Sequence, residues 1–134
     1  MHTTKVFLSG PIRGLPRSES LGWRKKATSL LSKKAETIHA LRGRELKETL
    51  PDYRVAIHRD KRDIDRCNIL LVNDTFDASM IGTSMEVHYA HDKGKLVVIF
   101  GDKHKDDYWL NYHSHVRLET LEEACNFILE HYCD

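Results

Sequence analysis

Ile69-Leu70-Leu71-Val72 and Leu96-Val97-Val98-Ile99-Phe100 flank a segment, Gly82-Thr83-Ser84-Met85-Glu86-Val87-His88-Tyr89-Ala90, of helical character. Each apolar run is short, unbroken and without polar alternation. That is the signature of a strand buried on both faces, which parallel sheets require. Gly94 follows the helical segment as a natural C-terminal cap. Strand, helix and strand in this order form the unit of a parallel sheet.

The same rhythm extends in both directions. Toward the N-terminus, Lys5 to Ser9 reads as a buried strand and Gly10 to Pro16 as a Gly/Pro loop. A helix is predicted from about Ser18 to Lys34, with Trp23, Ala27, Leu30 and Leu31 on one face. Thr37 to Leu41 reads as a second strand, Arg44 to Leu50 as a short helix stopped by Pro51, and His58 to Arg66 as a further helix. Toward the C-terminus, Asp74 to Ile81 is loop and Thr83 to Asp92 helix. Gly101 to Ser114 is irregular or partly helical, and Val116 to Leu118 a last short strand. Leu121, Ala124, Cys125, Ile128, Leu129 and Tyr132 share one face of a closing helix. Repeats, linkers and low-complexity segments are absent from the pattern. The sequence thus predicts one α/β domain over residues 1–134: a doubly wound, flavodoxin-like or Rossmann-like, mostly parallel five-stranded sheet with helices on both faces. Ligands of such sheets sit at the carboxyl ends of the strands.

Composition narrows the partners. The 134 residues carry 21 Lys plus Arg against 20 Asp plus Glu, a net charge of +1. That balance gives no polyanion-binding surface, so no nucleic acid polymer is expected. No apolar run approaches membrane-spanning length, so no membrane partner is expected. A strand begins almost at once without a signal-peptide pattern, so the expected location is the cytoplasm. Cys67, Cys125 and Cys133 lack CxxC spacing and read as reduced thiols. His88 and His91 are three apart and His113 and His115 two apart, but neither pair has a third ligand in a known arrangement. Neither a metal nor an organic cofactor is expected.

Three features carry chemistry. The loop Ser9-Gly10-Pro11-Ile12-Arg13-Gly14 joins a strand to a helix. Its glycines let the backbone approach an anion, the helix start offers free N–H groups, and Arg13 can clamp phosphate oxygens. It matches neither GxxxxGK[ST] nor GxGxxG, and an ordinary turn with a solvated arginine is the alternative. Glu86 is expected in the first turn of its helix, where amides and dipole favour an ionised carboxylate. Thr83-Ser84-Met85-Glu86 also matches a capping box, in which the glutamate only satisfies a backbone N–H. The preceding loop, with Asp77, Ser79 and Gly82, is long enough to line a site. Asp60 shares a helical face with Ile64 and Cys67, whereas Asp63 lies at the edge of that face and Asp65 points away. Burial would raise the Asp60 pKa, as a proton donor needs; satisfying local amides at a helix start is the alternative. A raised-pKa acid and an ionised nucleophile are the pair used at glycosidic bonds.

Together Val6-Phe7-Leu8-Ser9-Gly10-Pro11-Ile12-Arg13-Gly14, Asp60 eight residues before Asn68-Ile69, and Gly82-Thr83 followed by Glu86 and a small-residue helix resemble the nucleoside 2-deoxyribosyltransferase superfamily. The likeness runs from Val6 to about Leu118. It implies Glu86 as nucleophile, Asp60 as the second active-site carboxylate, and Ser9 to Gly14, with Arg13, as the phosphate loop of the nucleoside 5′-monophosphate N-glycosidase branch. Ser79 matches that branch's loop serine if one residue is inserted, and Ser114 is the nearest match to a serine that reaches the phosphate of a neighbouring subunit, which implies a homodimer. Deoxyribose-specific members carry Tyr where this chain has Phe7, a departure that opens room for a 2′-hydroxyl. The openings SGPIRG and GTSME are most similar to the branch cleaving cytidine-type monophosphates. The resemblance therefore implies hydrolysis of a (deoxy)ribonucleoside 5′-monophosphate, with a pyrimidine base such as that of a CMP-type nucleotide, to free base and sugar 5-phosphate. Base exchange between nucleosides and non-catalytic nucleotide binding are the alternatives.

Overall fold

The computed structural model describes residues 4–50 and 52–134. Five strands alternate with five helices: β1 (Thr4–Ser9), α1 (Arg17–Leu31), β2 (Ala35–His39), α2 (Tyr53–Asp65), β3 (Ile69–Asn73), α3 (Ile81–Asp92), β4 (Leu96–Phe100), α4 (Tyr108–Tyr112), β5 (Val116–Leu118) and α5 (Leu121–Tyr132). The sheet order is β2-β1-β3-β4-β5. Every pairing is parallel. The doubly wound α/β architecture is thus present.

The apolar runs behave as strands buried on two sides. In β3, Ile69 and Leu71 join one core with Val6, Leu8, Trp23, Ala27 and Ile128. Leu70 and Val72 join the opposite core with Phe7, Ile64, Val87 and Leu110. Side chains of a strand alternate between faces, so a continuous apolar run fills both layers. One layer is covered by α1 and α5, the other by α2, α3 and α4.

The chain leaves β1 toward β2 in one direction and reaches β3 on the other side of β1. Connections therefore diverge between the carboxyl ends of β1 and β3, which opens a crevice at that edge. Ser9 stands opposite Val72 across this junction. The neighbouring edge is braced by buried Asp74, which accepts from Arg117 Nη1 at 2.8 Å and from the His104 amide at 2.9 Å.

Several boundaries differ from the sequence reading. Residues 44–50 form no helix. Arg44 reaches Glu48, the Leu50 amide donates to Glu48, and Thr49 Oγ1 donates to the Gly43 carbonyl. Such local side-chain bonds compete with a helical ladder. Pro51, read as the stop of that helix, lies outside the described residues. Helix α2 starts five residues before the expected His58, because Asp52 caps it by accepting from the Arg54 amide. Its first turns present Tyr53, Val55 and Ile57 to solvent, so no apolar stripe marks them. Strand β2 begins at Ala35 rather than Thr37, which ends α1 earlier. Among the described residues, no helix is long and apolar enough to cross a membrane.

Candidate active site

Ser9 closes β1 and is fully buried. Its Oγ donates to Glu86 Oε1 at 2.5 Å, joining the first strand to α3 across 77 positions of sequence. Glu86 lies in the second turn of α3, because the helix begins at Ile81. The expected first-turn placement is thus corrected. The capping-box arrangement is absent too: Met80 occupies the N-cap and no side chain caps the helix. Ser79 Oγ, two residues ahead, instead accepts from the Ile81 amide at 3.5 Å.

That position changes the charge state. Burial pushes the Glu86 carboxyl up to about 7, and the charge of Asp60 adds to the rise. The Ser9 hydroxyl and Arg24 oppose it. An unconditionally ionised Glu86 is therefore corrected to one that titrates near neutrality. Asp60, 8% exposed on α2, is also raised, to about 6, by burial. Arg44 and Arg59 pull it back down. Its Oδ1 is buried without a protein partner, so the helix-start role is not its function: Asp52 takes that role. Asp63, placed by the sequence at the edge of the face, is fully buried in a forked pair with Arg42 at 2.9 and 2.8 Å.

Arg24 went unread in the sequence. It is 1% exposed on α1 and donates to the Ser20 carbonyl at 2.5 Å and the Gly10 carbonyl at 2.9 Å. Burial lowers its pKa to about 10, while Glu86 and Asp60 hold it up. Its guanidinium remains a fixed cation at neutral pH and also stacks over Trp23. The available signal was that, of the three charges between Trp23 and Ala27, Arg24 alone falls beside Ala27 and Leu31 on the apolar helical face. The Nε atoms of Arg24, Arg44 and Arg59, like Asp60 Oδ1, are buried without partners among the described residues. Unsatisfied polar atoms of this kind are scarce in folded chains and concentrate where function requires them.

The phosphate-type loop is shaped by the same elements. Gly10 packs so closely that a Cβ would come within 3.0 Å of the Trp23 ring and 3.2 Å of Asn73 Cβ. Pro11 is buried, Ile12 is partly covered, and Arg13 is exposed. Gly14 turns the chain with φ +88, a conformation that disfavours side chains. Pro16 then starts α1, whose first turn has no side-chain cap. Phe7, two residues before Ser9 on the same face of β1, packs in the core against α2 and α3. Gly82 is exposed in the first turn of α3. Ser114 Oγ donates to the Asn111 carbonyl at 3.3 Å. Among the described residues, no hydrogen bond or ion pair ties Arg13, Ser79, Gly82 or Ser114 to either carboxylate.

No family model and no curated protein sequence matches the chain. Solved structures do. A 2-deoxyribosyltransferase from Bacillus psychrosaccharolyticus superposes with a TM-score of 0.74 at 13% identity, over 92% of this chain and 91% of that one. The fold is that of the 2-deoxyribosyltransferases. The Leishmania mexicana 2-desoxiribosyltransferase gives 0.72 at 14% identity, over 96% and 99% of the two chains. The CMP N-glycosidase of Clostridium botulinum gives 0.64 at 18% identity, again over 96% and 99%.

The two raised carboxyls carry a stability signature. Between the ordinary Glu value of 4.5 and its folded value of about 7, the folded chain holds a proton that the unfolded chain releases. Stability from this group therefore falls as pH rises through that window. Glu86→Gln keeps an acceptor for Ser9 and removes the cost. It is expected to stabilise the protein by about 3 kcal/mol at pH 8 and by nearly nothing at pH 4. Thermal melts at the two pH values check this; an equal gain at both would exclude the titrating carboxyl as its source.

Proposed function

We propose that the chain cleaves the N-glycosidic bond of a (deoxy)ribonucleoside 5′-monophosphate, releasing free base and sugar 5-phosphate. The observation that carries this reading is the Ser9–Glu86 pair at the β1/β3 crevice, electrostatically coupled to a second raised carboxyl, Asp60. Glycosidic chemistry uses such a pair, one group donating a proton and the other meeting the anomeric carbon.

In the first step an oxygen of ionised Glu86 bonds to C1′ as the C1′–N bond breaks. Asp60 gives its proton to the departing base. The Ser9 hydroxyl holds the Glu86 carboxylate in line, and the fixed charge of Arg24 favours its ionised form. Water then attacks C1′, freeing the sugar phosphate and restoring Glu86, while Asp60 receives the water proton. The cationic character that develops on the sugar is met by a carboxylate in a partly buried site, where its field is strong.

The 5′-phosphate falls to the loop Ser9 to Gly14, with Arg13 as clamp and the uncapped start of α1 behind it. Phe7 brings no hydroxyl to the nucleophile, so both a 2′-hydroxyl and 2′-hydrogen fit this reading, and a pyrimidine such as the cytosine of CMP is the proposed base. Ser79, in the loop before α3, and Gly82, in its first turn, are assigned to the rim of the crevice. Ser114 is assigned to a neighbouring copy's phosphate in a homodimer. Arg13→Ala is expected to raise KM for monophosphates about 10- to 100-fold and to leave KM for nucleosides nearly unchanged. Equal effects on both would remove the phosphate from Arg13.

A second reading shares the first half of the mechanism. Two of the structural neighbours, with TM-scores of 0.74 and 0.72, are deoxyribosyltransferases. In that case a second base, not water, captures the sugar. A panel of ribo- and deoxyribonucleoside monophosphates, and of nucleosides with a different free base, scored by chromatography, separates the two. Base release that needs the phosphate supports hydrolysis; phosphate-independent exchange supports transfer; binding without base release leaves a nucleotide sensor.

A further inference from the structure

The far side of α3 holds a cluster that the glycosidic chemistry leaves unused. Read along the chain, His88 lacks a third partner. In the folded protein α4 supplies one. His88 and Asp92 are four apart on α3, with His88 Nε2 at 3.4 Å from Asp92 Oδ2. The His113 ring lies at the end of α4, its centroid 5.0 Å from that of His88. One donor atom from each of His88, Asp92 and His113 lies within 4.8 Å of the others.

We propose that His88, Asp92 and His113 bind one divalent transition-metal ion of the zinc class and thereby clamp α3 to α4. Three observations carry the assignment. First, two imidazoles and a carboxylate are a donor set that zinc accepts and that magnesium and calcium do not favour. Second, the His88–Asp92 separation of 3.4 Å matches the edge of a tetrahedral site, about 3.3 Å for bonds of about 2.0 Å. Third, His113 is already oriented as a metal ligand. It is buried, its ring lies parallel to that of Trp109 at 5.5 Å, and its Nδ1 is 2.8 Å from the Trp109 carbonyl. A neutral imidazole that donates its Nδ1–H to a carbonyl leaves the Nε2 lone pair outward, the arrangement typical of metal-bound histidine. His88 and Asp92 are exposed, so small rotamer changes bring their donors onto a common ion. Three protein donors leave a fourth position, and an open groove of ≈ 310 Å³ along Tyr108, Trp109, Tyr112 and His113 borders the cluster.

The test uses the whole protein, stripped with chelator, dialysed and titrated calorimetrically with zinc chloride alone at neutral pH. One zinc per chain is expected, together with a rise in Tm. His113 is buried, so the exposed substitutions His88→Ala and Asp92→Ala carry the comparison, with circular dichroism confirming their folding. Each is expected to weaken zinc binding at least about 10-fold, whereas His131→Ala on α5 leaves it unchanged. Absence of saturable binding, or binding equally strong in His88→Ala and Asp92→Ala, would overturn the assignment. This outcome is independent of nucleotide cleavage, because Glu86 and Asp60 are untouched in every variant.

Discussion

On the proposed reading, Glu86→Ala is expected to lower kcat for base release by at least about 10³-fold and to leave the chain folded. The expectation follows from what the side chain does and does not support. Glu86 caps no helix, and among the described residues its side chain's hydrogen-bond partner is Ser9, at 2.5 Å. Its burial opposes its charge, so removing it costs the fold little and relieves an electrostatic penalty. The proposed chemistry, by contrast, would lose the carboxylate paired to Ser9. Chromatographic assay of released base beside a thermal melt reads both effects. Wild-type turnover in the alanine variant would assign Glu86 to structure.

The second large effect belongs to Asp60. Asp60→Asn is expected to slow release by about 10²- to 10⁴-fold for bases that leave poorly, and by less for bases that leave without protonation. It also changes the pH profile. With Glu86 raised to about 7 and Asp60 to about 6, the productive form has the first ionised and the second protonated. Because Asp60 ionises below Glu86, the productive form is the minor tautomer of the singly ionised pair: loss of the pair's first proton activates, and loss of its second inactivates. The product is a narrow bell centred at about pH 6.5, in which only a minor fraction of molecules is correctly protonated at any moment. The two carboxyls titrate as a coupled pair, so the limbs report the pair together. Asp60→Asn is expected to abolish the alkaline limb, and kcat/KM measured from pH 5 to 9 checks this. An alkaline limb that survives the substitution would place the proton donor elsewhere.

How much of this was legible beforehand depended on whether the cause was local. The strands Ile69–Asn73 and Leu96–Phe100 were readable because apolar content alone dictates burial on two faces. The inward face of α2 at Asp60 and Ile64 followed from helical periodicity in the same way. Boundaries set by single side chains were harder. The start of α2 depends on Asp52 as cap, while the exposed Tyr53, Val55 and Ile57 give no stripe to read. The environment of Glu86 was not legible at all. Its capping-box signature is local and misleading, whereas its partner Ser9 lies 77 positions away and becomes its neighbour only through β1–β3 pairing. Arg24 and the convergence of His88, Asp92 and His113 are likewise products of packing between elements.

A rapid chemical quench followed by peptide mass spectrometry reaches the reacting bond itself. Incubation with a slowly turned-over nucleoside 5′-monophosphate should leave a sugar 5-phosphate ester on the peptide carrying Glu86, and none in Glu86→Gln. Release of free base with Glu86 unmodified and the ester on a different residue would contradict Glu86 as the group that bonds to the anomeric carbon.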